Sequence, residues 1–386
     1  MRVLIACDKF KDALTAPQAC GIIADALQVA HPDWTMDVCP LADGGEGFAD
    51  ILTRAAGGRI VALTVTGPRG TPQPAGFGLV ALERIPAAAR ARLNLPAAVP
   101  ADATVAVIEM ATASGLALLA PEDRDPWHTT TTGTGELVRA AASHGVAAIL
   151  LGVGGSATND LGLGALDALG LHCSNQHGET VRPPVPARWA EVTRLIGKVD
   201  PRLPPIRIAC DVTNPLLGPR GAAAVYGPQK GLRPGDLTRL DSLGARLGLM
   251  LCHHCGQPDT TLEAPGAGAA GGIAFGLMVG AGAQLLPGVD LVEAWLDLGA
   301  RLAGADLVIT GEGRFDESSL SGKGPGAVAA RALALGKPVQ VFAGQIRADQ
   351  PPPGLRLHAI TPPGLPLADA LKAAPDLLAA SVRQHC

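Results

Sequence analysis

The feature that most constrains the fold of this chain is a repeated order of segments: a short apolar run, a polar turn rich in glycine, and a helical pattern. Residues 148–153 form a continuous apolar run of strand length, which Gly154 and Gly155 follow directly. Such runs are typical of strands that are covered on both faces. Because these strands alternate with helical patterns, we expect an α/β fold with parallel sheets and right-handed crossovers.

The length of the chain and an interruption of this pattern predict two domains. A chain of 386 residues is too long for one ordinary core. Residues 59–82 show short alternating runs broken by GPRGTPQP, which is typical of a hairpin, and the winding pattern resumes near Val289. We therefore expect a discontinuous α/β domain of residues 1–65 and 288–386 with a mostly parallel sheet, and an inserted second α/β domain of residues 66–287.

Charge and composition argue against several classes of function. The net charge is −4 and the charges are interspersed, so the sequence predicts neither a nucleic-acid surface nor an anionic-membrane surface. Residues 264–289 carry no charge but are mostly glycine and alanine, which indicates a closely packed buried helix rather than a membrane span. The N-terminus lacks a signal-peptide pattern and the eight cysteines are scattered, so we expect a cytoplasmic protein.

The strand-like runs are followed by polar residues of a few types: acids, lysines or arginines, and residues with hydroxyl or amide side chains. Parallel sheets bring such strand ends to one edge, where ligands bind. Carboxylates can hold Mg²⁺, lysines and arginines can pair phosphate oxygens, and helix N-termini can bind anions, which together meet the needs of phosphoryl transfer. Taken singly, each residue is equally consistent with a surface charge or a helix cap. The candidates are Lys9, Lys11, Asp43, Ser156, Thr158, Asn159, Asp211, Asn214, Arg220, Lys230, Glu312, Arg314, Asp316, Ser321 and Lys323.

The glycine turn after residues 148–153 also satisfies a dinucleotide pattern. Gly152, Gly154 and Ala157 match G-x-G-x-x-A, and Ser156 and Asn159 are of types that cap helix N-termini. The acidic residue that a dinucleotide site places after its second strand is missing. A nicotinamide-dependent oxidoreductase therefore stays open as an alternative.

Six longer motifs occur in order along nearly the whole chain, and together they resemble the bacterial glycerate kinase family, type 1. They are CDKFKDALTA (7–16), PLADGGEGF (40–48), TTTTGTGEL (129–137), GVGGSATND (152–160), CDVTNPLLGPRGAAAVYGPQKG (210–231) and ADLVITGEGRFDESSLSGKGP (305–325). The resemblance implies ATP-dependent phosphorylation of D-glycerate with Mg²⁺, more often at the 2-hydroxyl than at the 3-hydroxyl. It also implies two α/β domains, one of them Rossmann-like or flavodoxin-like, with the active cleft between them.

The resemblance and the chemistry of the matched residues suggest a role for each candidate. Asp211, or in second place Asp43, is expected to orient or deprotonate the glycerate hydroxyl, with Lys9, Lys11 and Arg220 completing the catalytic set. Substrate binding is assigned to Ser156, Asn159, Asn214 and Arg314, and Mg²⁺ binding to Glu312 and Asp316. Nucleotide binding is assigned to Gly154, Gly155, Thr158, Lys230, Ser321 and Lys323.

The sequence departs from the family pattern at two places and leaves some properties open. Asp12-Ala13 stands where the family commonly has Gly-Ser, and Thr132 where it often has Tyr. A kinase of another small hydroxy acid and a non-catalytic sugar-acid sensor remain alternatives, because a short polar ligand offers few discriminating contacts. Both a monomer and a homodimer are compatible with the sequence.

Overall fold

A computed structural model describes residues 1–96, 99–320, 324–347 and 352–386. Its strands are β1 (Arg2–Cys7), β2 (Thr35–Val38), β3 (Arg59–Thr66), β4 (Pro72–Ala81), β5 (Thr104–Glu109), β6 (Ala148–Gly152), β7 (Leu171–Ser174), β8 (Arg194–Gly197), β9 (Ile206–Ala209), β10 (Gln284–Leu286), β11 (Leu307–Asp316), β12 (Val339–Arg347) and β13 (Leu355–Ala359).

The helices alternate with these strands along most of the chain. They are α1 (Ala16–Ala30), α2 (Phe48–Ala55), α3 (Ala87–Arg92), α4 (Ala111–Ser114), α5 (Thr132–Ser143), α6 (Leu163–Ala168), α7 (Ala222–Tyr226), α8 (Leu237–Cys255), α9 (Ala269–Ala281), α10 (Gly288–Trp295), α11 (Leu298–Gly304), α12 (Glu317–Leu320), α13 (Gly324–Ala334) and α14 (Leu367–His385). In the described ranges, no helix is both long and apolar enough to cross a membrane.

The structure divides into two compact units. Unit 1 comprises residues 1–43 and 292–386, and unit 2 comprises residues 44–291. Residues 44–65, which were expected in the first domain, lie instead in unit 2, because α2 packs against β4 and β5, and β3 pairs with β4. The chain returns to unit 1 within α10.

Unit 1 is built on a fully parallel sheet with the order β13-β12-β11-β1-β2. Strand β1, which lies between β11 and β2, is apolar over its whole buried length, and α1 and α14 pack against each other in the core that covers it. Helix α1 begins with a capping box formed by Thr15 and Gln18, and Pro17 lies in its first turn.

Unit 2 is built on a mixed sheet with the order β10-β9-β6-β5-β4-β3. Strands β5, β6, β9 and β10 run parallel, whereas β3 and β4 form the antiparallel hairpin predicted from residues 59–82. The predicted buried helix in residues 264–289 is confirmed as α9. It is kinked at its start, since Ala270, Gly271 and Gly272 all have positive φ.

Two segments differ from what their sequence patterns indicate. The polar composition of the stretch that begins at Gly311 is typical of a loop, but β11 continues through Asp316, because its pairing with β12 extends to the Asp316 and Arg347 positions. Residues 291–305 have the sequence pattern of one continuous helix, but they are divided between α10 and α11. Asp297 separates them, and its φ of 49° lies in the left-handed region, which a continuous helix does not allow.

Candidate active site

The glycine turn after β6 packs directly on the turn that precedes α2. The N–H of Gly154 donates to the carbonyl of Gly44 over 2.9 Å. A Cβ atom on Gly154 would lie 2.6 Å from Gly45 Cα, and one on Gly152 would lie 2.6 Å from the Gly44 carbonyl. Glycine is therefore required here for close backbone approach. The Gly154 N–H, expected to bind nucleotide phosphate, is instead used within the protein.

The structure corrects the expectation that Ser156 and Asn159 cap a helix, because α6 begins only at Leu163. Asp160 takes that place. Its carboxylate accepts hydrogen bonds from the N–H groups of Gly162 (3.1 Å) and Gly164 (3.2 Å) at the start of α6. It also accepts from the N–H and hydroxyl of Thr131 (both 2.8 Å), directly before α5. One buried carboxylate thus anchors the N-termini of two helices.

Lys230 is fully buried beside this loop, with 1% of its surface exposed. Its ammonium donates to Ser156 Oγ over 2.8 Å and to the carbonyl of Thr158 over 2.6 Å. Burial lowers the pKa of Lys230 to about 7, and the nearby carboxylate of Asp160 opposes that shift. Burial also raises the pKa of Asp160, and its four hydrogen bonds oppose the rise.

We call Ser156, Thr158, Asn159, Asp160 and Lys230 the Lys230 cluster. All five residues are buried, at 7% exposure or less. Among the described residues, the buried atoms Thr158 Oγ1 and Asn159 Oδ1 have no hydrogen-bond partner. Buried oxygens without a partner are costly in a folded protein, so this cluster has unused capacity to bind a polar ligand.

The loop after β9 places Asp211 differently from the expected catalytic base. Both carboxylate oxygens of Asp211 lie 3.1 Å from the N–H of Val289 in the first turn of α10. A Cβ atom on Gly288 would lie 2.8 Å from Asp211 Oδ2, which shows how closely the carboxylate fits the helix start. Asp211 therefore anchors α10.

The other expected residues of this loop have local partners or are exposed. The side chain of Asn214 donates to the Arg220 carbonyl over 2.8 Å and accepts from the Tyr226 hydroxyl over 2.7 Å. These two bonds close the loop around Arg220, which is exposed.

Glu109, at the end of β5, is a third carboxylate anchor in unit 2. It is buried, and its Oε2 accepts from the N–H of Gly47 over 2.9 Å and of Ala49 over 3.3 Å at the start of α2. Glu109, Asp160 and Asp211 each follow or end a sheet strand, and each binds the N-terminus of at least one helix. Strand-end acids in unit 2 thus serve to orient helices.

In unit 1, the structure brings Lys9 and Asp43 together, the two residues that the sequence assigns to one catalytic set. Lys9 Nζ lies 4.0 Å from Asp43 Oδ1, and the Asp43 side chain is 61% exposed. Lys11 is exposed and precedes Asp12, whose φ of 62° lies in the left-handed region. The family commonly has glycine at this position, and the backbone conformation gives a physical reason for it.

Glu312, Arg314 and Asp316 lie on β11. Arg314 donates from two of its nitrogens to Asp316 Oδ2, over 2.7 and 2.6 Å, and is therefore committed to this ion pair. Burial raises the pKa of Glu312 to about 7, the carboxylates of Asp8 and Asp316 contribute in the same direction, and the Ser319 hydroxyl opposes the shift. Glu312 Oε1 is buried without a partner among the described residues.

Asp8 joins Glu312 and Asp316 in what we call the acidic cluster of unit 1. It follows β1, which pairs with β11 so that Cys7 lies beside Gly311, and its N–H donates to the Gly311 carbonyl over 2.9 Å. Across the described ranges, no group of three or more His, Cys, Asp or Glu side chains is arranged to hold a metal ion. Ser321 and Lys323 lie outside the described residues.

Sequence reasoning missed the anchoring roles of Asp160 and Glu109 and the place of Asp8 in the acidic cluster. Asp8 and Asp160 stand inside the quoted motifs, but nothing local to them shows which backbone groups they bind. Thr131 is part of the run of four threonines that precedes α5. This run was the sequence signal for such a contact, because a threonine side chain readily forms hydrogen bonds next to the start of a helix.

An α/β chain whose strand ends gather carboxylates, lysines and tight glycine turns has the features of a small-molecule phosphotransferase. The glycerate kinase family model matches residues 3–386, and the chain belongs to this family. It is accordingly a kinase that acts on an alcohol group of a small molecule and uses a nucleotide as its second substrate.

Individual relatives and a solved structure agree with this assignment. The chain is 39% identical to a glycerate kinase of Haemophilus influenzae over 90% of this chain and 87% of the relative. It is 38% identical to a glycerate kinase of Bacillus subtilis (99% and 96%) and 37% identical to the glycerate 2-kinase of Escherichia coli (90% and 86%). A crystal structure from Salmonella typhimurium LT2, provisionally named glycerate kinase 2, superposes with a TM-score of 0.76 at 38% identity, covering 100% of this chain and 96% of that one.

Proposed function

We propose that this kinase transfers the γ-phosphoryl group of ATP to the 2-hydroxyl of D-glycerate, with Mg²⁺ as the metal. The observation that carries the proposal is the Lys230 cluster: a buried ammonium that donates to two neutral oxygens, next to two buried oxygens without a partner among the described residues. A small ligand with one carboxylate and several hydroxyl groups matches this set of charges and oxygens. The E. coli relative is named a glycerate 2-kinase, which supports the 2-hydroxyl.

The chemistry of the acidic cluster in unit 1 fits Mg²⁺. Magnesium binds oxygen ligands, and it commonly uses one or two carboxylates together with waters and substrate phosphates. Within the described part of the chain, Glu312 Oε1 is a buried carboxylate oxygen without a hydrogen-bond partner, and Asp316 is close enough to shift the pKa of Glu312. We propose Glu312 and Asp316 as ligands, where the ion would neutralise charge on the nucleotide phosphates. Lys9 and Lys11 would contribute further positive charge.

For the group that orients or deprotonates the glycerate hydroxyl, we propose Asp43 ahead of Asp211. Both oxygens of Asp211 are directed at Val289 in α10, whereas the side chain of Asp43 is exposed and lies near Lys9. A base must be able to reach the substrate proton, and an exposed carboxylate meets that condition better than one that holds a helix.

The substrate is tested by an assay of ADP formation with D-glycerate, L-glycerate, glycolate and lactate. We expect D-glycerate to give the highest kcat/KM, and phosphorus NMR of the product to show 2-phosphoglycerate. A higher kcat/KM for another acid would show that D-glycerate is not the preferred substrate. Formation of 3-phosphoglycerate would show that the 3-hydroxyl, not the 2-hydroxyl, is phosphorylated. An absorbance change with NADH and these acids would instead favour the oxidoreductase alternative.

The base is tested by Asp43→Asn, with Asp33→Asn as a control on an exposed carboxylate of the same unit. We expect Asp43→Asn to lower kcat about 10²- to 10⁴-fold, the usual range for loss of a general base. Asp33→Asn should leave kcat unchanged. If Asp211→Asn lowers kcat more than Asp43→Asn, the order of the two candidates is reversed.

A further inference from the structure

The hydrogen bond between Lys230 and Ser156 determines how the Ser156 hydroxyl can act. An ammonium has only donors, so Ser156 Oγ must accept in the 2.8 Å bond from Lys230 Nζ. The hydroxyl proton of Ser156 is then left to donate to some other group. A serine hydroxyl that is free of such a bond can rotate and serve as donor or acceptor, but this one is held as a donor.

The charge around Lys230 shows what kind of acceptor suits that proton. Both acceptors that Lys230 binds, Ser156 Oγ and the Thr158 carbonyl, are neutral. Asp160 is the acidic group whose field reaches Lys230, but its carboxylate is already bound by the N–H groups and hydroxyl of Thr131, Gly162 and Gly164. A buried cation that is only partly compensated attracts an anion.

We propose that Lys230 is a positioning residue that holds Ser156 as an obligatory hydrogen-bond donor to the carboxylate of the substrate, so that substrate binding is coupled to the charge of Lys230. This inference rests on the proposed function, since the carboxylate is that of D-glycerate. It differs from the nucleotide-binding role expected for Lys230 from the sequence, because the ammonium acts through Ser156.

The coupling between substrate binding and protonation of Lys230 has a defined sign. Burial lowers the pKa of Lys230 to about 7, so in the empty protein the side chain loses its proton as the pH rises through about 7. A bound carboxylate favours the charged form and raises that pKa. Binding of an anion above pH 7 must therefore take up a proton, whereas binding well below pH 7 takes up almost none.

The test is calorimetric titration of the full chain with D-glycerate, in buffers of different ionisation enthalpy, which counts the protons taken up. We expect close to one proton per glycerate at about pH 8.5 and close to none at about pH 6. In Lys230→Arg the guanidinium stays charged and in Lys230→Met there is no charge to titrate, so the uptake should vanish in both. Lys198→Met, which changes an exposed lysine of the same unit, should keep it.

A double-mutant cycle separates action through Ser156 from an independent contact. Ser156→Ala and Lys230→Met should each weaken D-glycerate binding about 10- to 100-fold, the range for hydrogen bonds that involve charge. The double variant should bind no more weakly than the weaker single variant. Multiplied losses, or proton uptake that persists in both Lys230 variants, would overturn the inference.

Failure of the inference and failure of the proposed function give different results. If the wild-type protein phosphorylates D-glycerate but takes up no proton at about pH 8.5, the function stands and the role of Lys230 is wrong. If the wild-type protein neither binds nor phosphorylates D-glycerate, the proposed function is wrong. In that case the proton count with sulfate, which does not titrate in this range, decides the role of Lys230. Because the absence of proton uptake in the wild type would by itself overturn the inference, the test survives a Lys230 variant that does not fold.

Discussion

The strand-end carboxylates of the two units look alike in sequence but have different physical roles. In unit 2, Glu109, Asp160 and Asp211 bind backbone N–H groups at helix N-termini. In unit 1, Glu312 lies near Asp8 and Asp316, and the mutual repulsion contributes to its raised pKa. The first arrangement lowers the energy of the folded protein by itself. The second raises that energy, because burial and the neighbouring carboxylates oppose ionisation of Glu312, and such perturbed groups are typical of functional sites.

The largest effect is expected from removing the carboxylate of Asp160, which anchors two helices in unit 2. Asp160→Ala removes the acceptor of four hydrogen bonds and leaves buried donors and the Lys230 cation without compensation. We expect a loss of about 3 to 5 kcal/mol in the free energy of unfolding, measured by urea denaturation. Asp259→Ala, on an exposed carboxylate, should change it by less than about 0.5 kcal/mol. A loss as small as the control's would show that Asp160 is no anchor.

For Glu312 in unit 1 we expect the opposite effect on stability: its replacement should stabilise the protein while it lowers activity. Glu312→Gln should lower kcat about 10²-fold, because a proposed ligand of the metal is neutralised. It should also stabilise the protein. The folded-state pKa of about 7 exceeds the ordinary 4.5, so ionised Glu312 reduces stability as the pH rises from 4.5 through 7.

The comparison with Glu317→Gln, an exposed neighbour, isolates this effect. The melting temperature of Glu312→Gln should exceed that of the wild type at pH 8 and differ little at pH 4, whereas Glu317→Gln should follow the wild type at both. A Glu312→Gln protein that melts below the wild type at pH 8 would place Glu312 with the anchoring carboxylates instead.

A smaller effect is expected at Asp211, which tests whether it belongs with the anchors. Asp211→Ala removes the acceptor of the Val289 N–H at the start of α10. We expect a loss of about 1 kcal/mol in unfolding free energy, as for other helix caps, measured by the same denaturation curves. Unchanged stability with a large fall in kcat would return Asp211 to the catalytic role expected from the sequence.

The smallest effect concerns the loop after β1 in unit 1. Asp12 has a φ of 62°, a conformation that glycine adopts without cost. Asp12→Gly should therefore stabilise the protein by about 0.5 to 1 kcal/mol. Asp33→Gly, at an exposed position without positive φ, should destabilise it. Equal effects of the two substitutions on the melting temperature would contradict this explanation.

Much of the fold could be predicted because it depends on local patterns. The apolar run that forms β6 could be predicted, as could the hairpin of β3 and β4 and the buried helix α9. The extension of β11 to Asp316 could not be predicted, because its polar residues read as a loop and only pairing with β12 makes them a strand. The secondary structure of these residues is therefore determined by a strand that is distant in sequence.

The contacts of the candidate residues could be predicted less well than the fold. The motif that holds Ser156, Thr158 and Asn159 is brought together with Lys230, more than 70 residues away in the chain. The sequence could not show that Lys230 is buried, nor that Asp211 reaches Val289 and Asp160 reaches Thr131. Each of these contacts joins separate segments, so tertiary structure alone reveals which acid holds a helix.

The continuation of β11 through Asp316 bears on how this chain can change by insertion and deletion. A loop absorbs an added residue by bulging, but successive side chains of a strand point to opposite faces. Glu312, Arg314 and Asp316 stand at alternate positions and therefore share one face. An inserted or deleted residue between Glu312 and Asp316 would turn one part of this trio to the opposite face. The length of the segment 312–316 is thus as strict a requirement as the identity of its charged residues.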